Sequence, residues 1–196
     1  MADHGNRLEG VSVLLGVTGG IAAYKAVDLA SRLTAAAADV RCVMTRSACK
    51  LIRPKSCEAV TGRAVFTKMW SGPEEYSISH INLADAADIV VVAPATANIL
   101  GKIANGICDD LLSTTLCACW DKPVLIAPAM NCRMWANPVV QQNVEILQRM
   151  KFELIGPETG RLACGTEGVG RMAEPVDILA AIERIAARID KSSRSG

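Results

Sequence analysis

The sequence predicts an α/β fold, one domain built on a mostly parallel sheet, and three observations carry that reading. Short apolar runs recur along the 196 residues, stretches with helical periodicity separate them, and most of the runs end in glycine or proline. Strands that alternate with helices build a parallel sheet covered on both faces. The chain is long enough to bury a real core. Aromatics make up only 4% of it and alanine is abundant, which favours helices packed closely on a sheet over an aromatic-filled barrel.

Residues 11–17 (VSVLLGV) read as the first strand, ending in Thr18-Gly19-Gly20. A helix follows, because Ala26, Leu29, Ala30 and Leu33 fall at i, i+3, i+4 and i+7. Residues 40–44 (VRCVM) give the second strand. Residues 89–93 (IVVVA), closed by Pro94, give the third, and their unbroken apolarity suits a parallel strand buried on both faces. Residues 123–127 (PVLIA), closed by Pro128, are the fourth, and 152–155 (FELI) the fifth. Helical stretches lie at 98–105, 110–118, 138–150 and 176–189.

Two segments do not read as regular structure. Residues 53–80 scatter Pro54, Gly62, Gly72 and Pro73, and residues 156–175 hold five glycines and two prolines. Loops this long inside a compact domain are usually functional or disordered. The polar ends, residues 1–10 and 191–196, are expected to be disordered, which leaves 11–190 as the single domain.

Composition excludes several classes. A formal net charge of +1 offers no field for nucleic acid or an anionic membrane. No apolar run approaches the ~20 residues needed to span a bilayer. The N-terminus lacks the apolar segment of a secretory signal, so a cytoplasmic location is expected. Of eight cysteines, none forms a CxxC pair, and Cys117-Ala-Cys119 with two histidines makes a poor zinc site, so no metal is expected. Six or seven of the eight are expected to be small buried hydrophobes, with Cys164 the exception.

Ligands of an open parallel sheet bind beyond the carboxyl ends of the strands, and four motifs fall there or in the glycine-rich loop. Gly16-Val-Thr-Gly19-Gly20-Ile21 lets the backbone approach a ligand, and the helix behind it offers N–H groups to a phosphate. It is neither a GxGxxG fingerprint nor a Walker loop. The second strand ends in Thr45-Arg46-Ser47, without the acid that would bind a ribose, so a terminal phosphate suits the site better. A plain tight turn is the bland alternative, and NADP on Arg46 a lesser one. Pro94-Ala95-Thr96-Ala97-Asn98 leaves space and supplies hydrogen bonds, although Asn98 read alone is a helix N-cap. In Pro128-Ala129-Met130-Asn131-Cys132-Arg133-Met134-Trp135, Asn131 either orients a carboxylate in a semi-dry pocket or belongs to a core corner. In the fourth, residues 160–175, Cys164 sits among glycines on a loop, open to proton or thiolate chemistry or merely incidental there.

Together these segments resemble the homo-oligomeric flavin-containing cysteine decarboxylases, over about residues 10 to 190. PAMNCRMW matches the family's PxMNxxMW pattern at every defined position, LACGTEGVGRMAEP matches its substrate-clamp loop, and Ser79-His80-Ile81 matches the segment that carries its histidine. Within the family the chain looks like the decarboxylases of phosphopantothenoylcysteine in coenzyme A biosynthesis. The resemblance implies a three-layer, Rossmann-like or flavodoxin-like domain that binds FMN. It implies His80, Asn131 and Cys164 as catalytic positions. FMN would rest on Gly19, Gly20, Ile21, Thr45, Ala95, Thr96, Ala97 and Asn98, and substrate on Asn131, Met134, Gly165, Arg171 and Met172. It implies a homotrimer or dodecamer with flavin at subunit contacts, and a phosphopantothenate-cysteine ligase either fused or separate. Two departures are noted: Ile99 stands where the family often has a hydroxyl, and Leu51 where it tends to have an aromatic. Both are expected to bear on flavin affinity.

The chemistry accounts for these residue types. Loss of carbon dioxide leaves a carbanion, and a cysteine carboxylate has no sink for it. Oxidation of CH2–SH to a thioaldehyde, with FMN as hydride acceptor, creates one. His80 would assist as a base, Asn131 would hold the carboxylate by neutral hydrogen bonds, and Cys164 would supply a proton when the enethiol is reduced. The clamp loop would close over the substrate and exclude water. A peptidyl-cysteine decarboxylase shares this logic and is the nearest alternative. A flavin prenyltransferase would lack the histidine and PxMNxxMW set, and a non-catalytic regulatory flavoprotein would carry long acidic extensions.

Overall fold

The computed structural model describes residues 7–70, 80–161, 165 and 167–193. Five parallel strands form the central sheet: β1 (Ser12–Val17), β2 (Asp39–Met44), β3 (Ile89–Ala95), β4 (Val124–Pro128) and β5 (Glu153–Leu154). Their order is β2-β1-β3-β4-β5. The helices are α1 (Ala23–Ala35), α2 (Ala48–Leu51), α3 (Pro54–Thr61), α4 (His80–Asp85), α5 (Ala97–Ala104), α6 (Leu111–Ala118), α7 (Cys132–Trp135), α8 (Pro138–Arg149) and α9 (Pro175–Ser193). A separate antiparallel hairpin pairs β6 (Glu158–Arg161) with β7 (Glu167–Arg171).

Alternate residues of each strand feed opposite faces, so the molecule has three layers. Val13, Leu15 and Val91 pack under Ala26, Leu29 and Leu33 of α1, Cys57 of α3 and Ile178, Ile182 and Ile185 of α9. Leu14, Val90 and Val92 pack on the other face under Leu83 of α4, Ile99 and Leu100 of α5, Leu112 and Leu116 of α6, and Leu147 of α8. Every residue of β3 and β4 is buried, as an apolar strand with helices on both faces must be. The stripe on α1 that the sequence predicted (Ala26, Leu29, Ala30, Leu33) is wholly buried, and its alanines let the helix lie close to the sheet.

Several expectations are corrected. The stretch 53–80 contains α3: Pro54 occupies its first turn, where a missing N–H costs nothing, and Gly62 closes it at φ 68° in the left-handed region. Residues 71–79 lie outside the described residues. The stretch 156–175 contains the β6–β7 hairpin rather than a structureless loop. At the ends, Leu8 is buried and its N–H donates to the Ala36 carbonyl (2.9 Å), and the α9 backbone stays helical to Ser193. Residues 1–6 and 194–196 lie outside the described residues. The described cysteines are free thiols, and Cys42, Cys57 and Cys119 alone among them are buried. Cys108 and Cys117 face solvent, because one lies in the loop before α6 and the other on that helix's outer face. Among the described residues no helix is long and apolar enough to cross a membrane.

Candidate active site

The site starts at the carboxyl ends of β1 and β3, the neighbouring strands from which the sheet order runs off in opposite directions. A crevice forms at such a switch point because the loops leaving the two strands diverge to opposite faces. Thr18, buried just after β1, ties the two ends together: its hydroxyl donates to the Pro94 carbonyl (2.6 Å) and accepts from the Thr96 N–H (3.1 Å). Gly19 packs onto the loop after β2, where an added Cβ would lie 2.3 Å from the Cβ of Ser47. Thr45 braces that loop: its N–H donates to the Val17 carbonyl (3.0 Å) and its Oγ1 accepts from the Ala48 N–H (3.2 Å).

Two helices begin beside this junction. α1 has Ala22 and α5 has Thr96 at the N-cap; neither side chain caps its helix, and neither first turn holds an acid. Helix N-termini carry unsatisfied N–H groups and a partial positive charge. Gly20 lies between them, beside Thr96 and Pro94. The arrangement suits an anion such as a phosphate.

The opposite wall is built after β4. The Ala129 N–H donates to the Ala95 carbonyl and the Met130 N–H to the Gly170 carbonyl, both at 2.9 Å. The β6–β7 hairpin therefore docks on this loop backbone to backbone. A Cβ on Gly170 would lie 2.1 Å from the Met130 carbonyl oxygen, and one on Gly168 would lie 2.8 Å from Cys132 Cβ. Asn131 caps α7: its Oδ1 accepts from the Arg133 N–H (2.8 Å), which fixes the carboxamide and makes Nδ2 the donor end of the side chain. Trp135 packs against the core from α7, while Met134 is about half exposed (49%) at the mouth.

Between these walls runs a cleft of about 960 Å³. Of the residues predicted to hold a cofactor, Gly19, Gly20, Ile21 and Thr96 line it. Of those predicted to hold a substrate, Asn131, Met134, Arg171 and Met172 line it. Thr45, Ala95, Ala97 and Asn98 stand behind or beside the wall rather than on it: Ala95 is fully buried, and Asn98 is an exposed residue within α5 whose N-cap is Thr96. Gly165 is exposed at φ 85°, off the cleft wall. Cys164 lies outside the described residues. His80 opens α4, on the sheet face opposite α1, and does not line this cleft. Ile99 is buried in the core and Leu51 is exposed at the end of α2.

Sequence reasoning missed an ionic group in the wall. Lys25 of α1, whose side chain is only 11% exposed, donates to Glu174 Oε1 (2.8 Å) and reaches the Met172 carbonyl (3.5 Å). Arg171 Nη2 meets the same Oε1 at 2.7 Å and Glu158 Oε2 at 3.3 Å. The Lys25 hydrogen bond, seconded by the charges of Lys25 and Arg171, holds the Glu174 carboxyl below its ordinary value. The available signal was Lys25 itself, a charge bordering the buried stripe of α1, one residue before Ala26.

An open α/β sheet whose switch-point cleft suits an anion is the architecture of proteins that bind nucleotide-like ligands. The Flavoprotein family model matches residues 1–187, and the chain belongs to that family. It is 47% identical over 173 residues to the coenzyme A biosynthesis bifunctional protein CoaBC of Bacillus subtilis (strain 168), a match that covers 88% of this chain and 42% of that protein. The chain thus spans less than half the length of the curated relatives it matches. Among solved structures, a PPC decarboxylase mutant complexed with pantothenoylaminoethenethiol is similar at TM-score 0.78 and 37% identity, over 88% of this chain and 96% of that one. The FMN-dependent cysteine decarboxylase SpaF is similar at TM-score 0.76 and 33% identity, over 91% and 97%.

Proposed function

We propose that this chain is an FMN-dependent decarboxylase that converts phosphopantothenoylcysteine to phosphopantetheine in coenzyme A biosynthesis. One observation carries the reading: a single cleft sets a glycine turn and two uncapped helix N-termini opposite an asparagine whose carboxamide is fixed by its own helix. The similarity to CoaBC and to the PPC decarboxylase supports the substrate, and the similarity to SpaF supports the cofactor.

The residues present fit a flavin mononucleotide. Small-molecule sites enclose roughly 300–1,000 Å³, and about 960 Å³ accommodates the flavin and the reacting end of a substrate together. The N-termini of α1 and α5 suit the phosphate, and any side chain at Gly19 would strike Ser47. Gly19, Gly20, Ile21 and Thr96 would hold the group from the wall, with Thr45, Ala95, Ala97 and Asn98 behind or beside them. When bound, FMN supplies the two-electron oxidation that turns CH2–SH into an electron sink for decarboxylation.

Asn131 holds the substrate carboxylate with neutral donors, which orient the group without opposing its departure. Met134 and Met172 give the reacting end an apolar wall that thins the water around it. The hairpin, packed on the Met130–Cys132 backbone, carries the segment with Cys164, which donates the proton to the enethiol carbon. His80 serves as base toward the substrate thiol. Because α4 lies on the face opposite α1, a neighbouring copy supplies His80 to each cleft, and the working form is a homotrimer or a dodecamer. The ligase that makes the substrate is a further domain or a separate partner in the cytoplasm. Neither nucleic acid nor membrane takes part.

The test is direct. The purified chain should be yellow or take up FMN, and should release carbon dioxide from phosphopantothenoylcysteine in preference to a peptide ending in cysteine. A colourless chain that ignores FMN removes the proposal, and preference for the peptide reassigns the substrate.

A further inference from the structure

We infer that Lys25 is a positioning residue: through Glu174 it fixes the β6–β7 hairpin across the cleft and thereby sets the affinity for the cysteine substrate. The inference rests on the decarboxylase reading and adds to it a group that touches neither the carboxylate nor the thiol.

The hairpin has two attachments, of different kinds. On the Asn131 side it is held by main chain, through the Met130 N–H on the Gly170 carbonyl and the close approach at Gly168 and Gly170. On the glycine-turn side the attachment is ionic. Lys25 belongs to α1, the helix that follows Gly19-Gly20, and its ammonium sits on Glu174 Oε1, just beyond β7. Arg171 at the end of β7 shares that oxygen and also reaches Glu158 at the start of β6. α1 and β7 therefore meet at the Glu174 carboxylate, and Arg171 carries the link on to Glu158 of β6. Arg161, Gly170 and Arg171 line the cleft, so the shape of that wall depends on how the hairpin base is held at each side.

Lys25 also faces the cleft, which raises the alternative that it binds an anion of the ligand directly. The geometry argues against this. Its side chain is 11% exposed, one N–H is taken by Glu174 and another reaches the Met172 carbonyl. A largely desolvated ammonium is stable only while such partners stay in place. Its charge is matched within the protein before any ligand arrives.

The experiment uses FMN-loaded protein and steady-state carbon dioxide release. Lys25→Met and Glu174→Gln should each raise KM about tenfold with kcat within about twofold, the signature of lost ground-state binding, and FMN content should stay the same. The double variant should be no worse than Glu174→Gln alone, because that change already removes the Lys25 contact. Lys25→Arg should restore KM. In the absence of substrate, backbone amides of residues 158–161 and 167–171 should exchange faster in Lys25→Met, while those of β1 and β3 stay protected. Unchanged KM in both single variants, additive effects, or a fall in kcat at constant KM would each overturn the inference; the last would make Lys25 a catalytic group. A wild-type chain that releases no carbon dioxide would sink the decarboxylase reading instead, and amide exchange would still decide whether Lys25 holds the hairpin.

Discussion

Thr18 stabilises the cleft without facing a ligand. Its hydroxyl occupies a buried gap between two strand ends and satisfies the Pro94 carbonyl and the Thr96 N–H together. Thr18→Val keeps the shape and leaves both backbone groups without that partner, a loss of about 1–3 kcal/mol for a buried unsatisfied group. Urea unfolding of the apoprotein measures it, and an unchanged midpoint would mean that the Pro94 turn is held some other way. Gly19 and Gly170 act by absence, since each gives up a Cβ so that two backbones can touch. Cys164 stands apart because its expected role is chemical. Cys164→Ser should still release carbon dioxide but accumulate the oxidised enethiol, read by mass spectrometry of the products. Full conversion to phosphopantetheine would remove the thiol as proton donor.

The elements that the sequence disclosed are those whose pattern comes from burial alone. Strands β1, β3 and β4 are short apolar runs legible within a residue or two, and α1 was legible from apolar positions at helical spacing. Two others were hidden by residues with double meanings. Pro54 and Gly62 look like breakers but are the start and the left-handed close of α3. The glycines of β6 and β7 look like a loose loop, yet two of them exist to let the hairpin lie on the Met130–Cys132 backbone, a contact between segments about forty residues apart that no local pattern displays. α6 carries a prediction of its own. Asp110 caps it, accepting from the Ser113 N–H (2.9 Å) while Lys102 approaches at 2.7 Å. Burial works against its ionisation, but Lys102 and the Ser113 donors outweigh it, and the carboxyl is held below its ordinary value. A carboxylate lowered in the folded state stabilises it fully above the unfolded pKa and loses that contribution as pH falls through the folded one. Asp110→Ala should therefore cost about 1 kcal/mol near neutral pH, and the gap from wild type should close under acid. Denaturation curves across the acid range check this, and a gap independent of pH would contradict the ionised cap.

At the scale of the molecule, the motifs could not say which of them share one chain's cleft. Asn131, the glycine turn and the hairpin come together, because all three leave the carboxyl edge of one sheet or dock on a loop that does. His80 does not join them, since α4 packs with α6 on the far face. Chain order carries no information on that separation. If the reaction needs His80, it arrives from a second copy through a head-to-tail contact, which closes into a ring. This has a measurable consequence. His80→Asn should bind FMN and release no carbon dioxide, and Cys164→Ser should stop at the enethiol, so neither alone makes phosphopantetheine. When the two are unfolded together and refolded in equal amounts, a site that draws His80 from one copy and Cys164 from the next receives both intact groups in about a quarter of cases, for random assembly of such a contact. Phosphopantetheine should then appear at about a quarter of the wild-type rate, and refolding the variants separately before mixing should abolish it. Were His80 and Cys164 to serve the same cleft from the same chain, co-refolding would yield no phosphopantetheine, because each cleft would inherit one defect or the other whatever its neighbours.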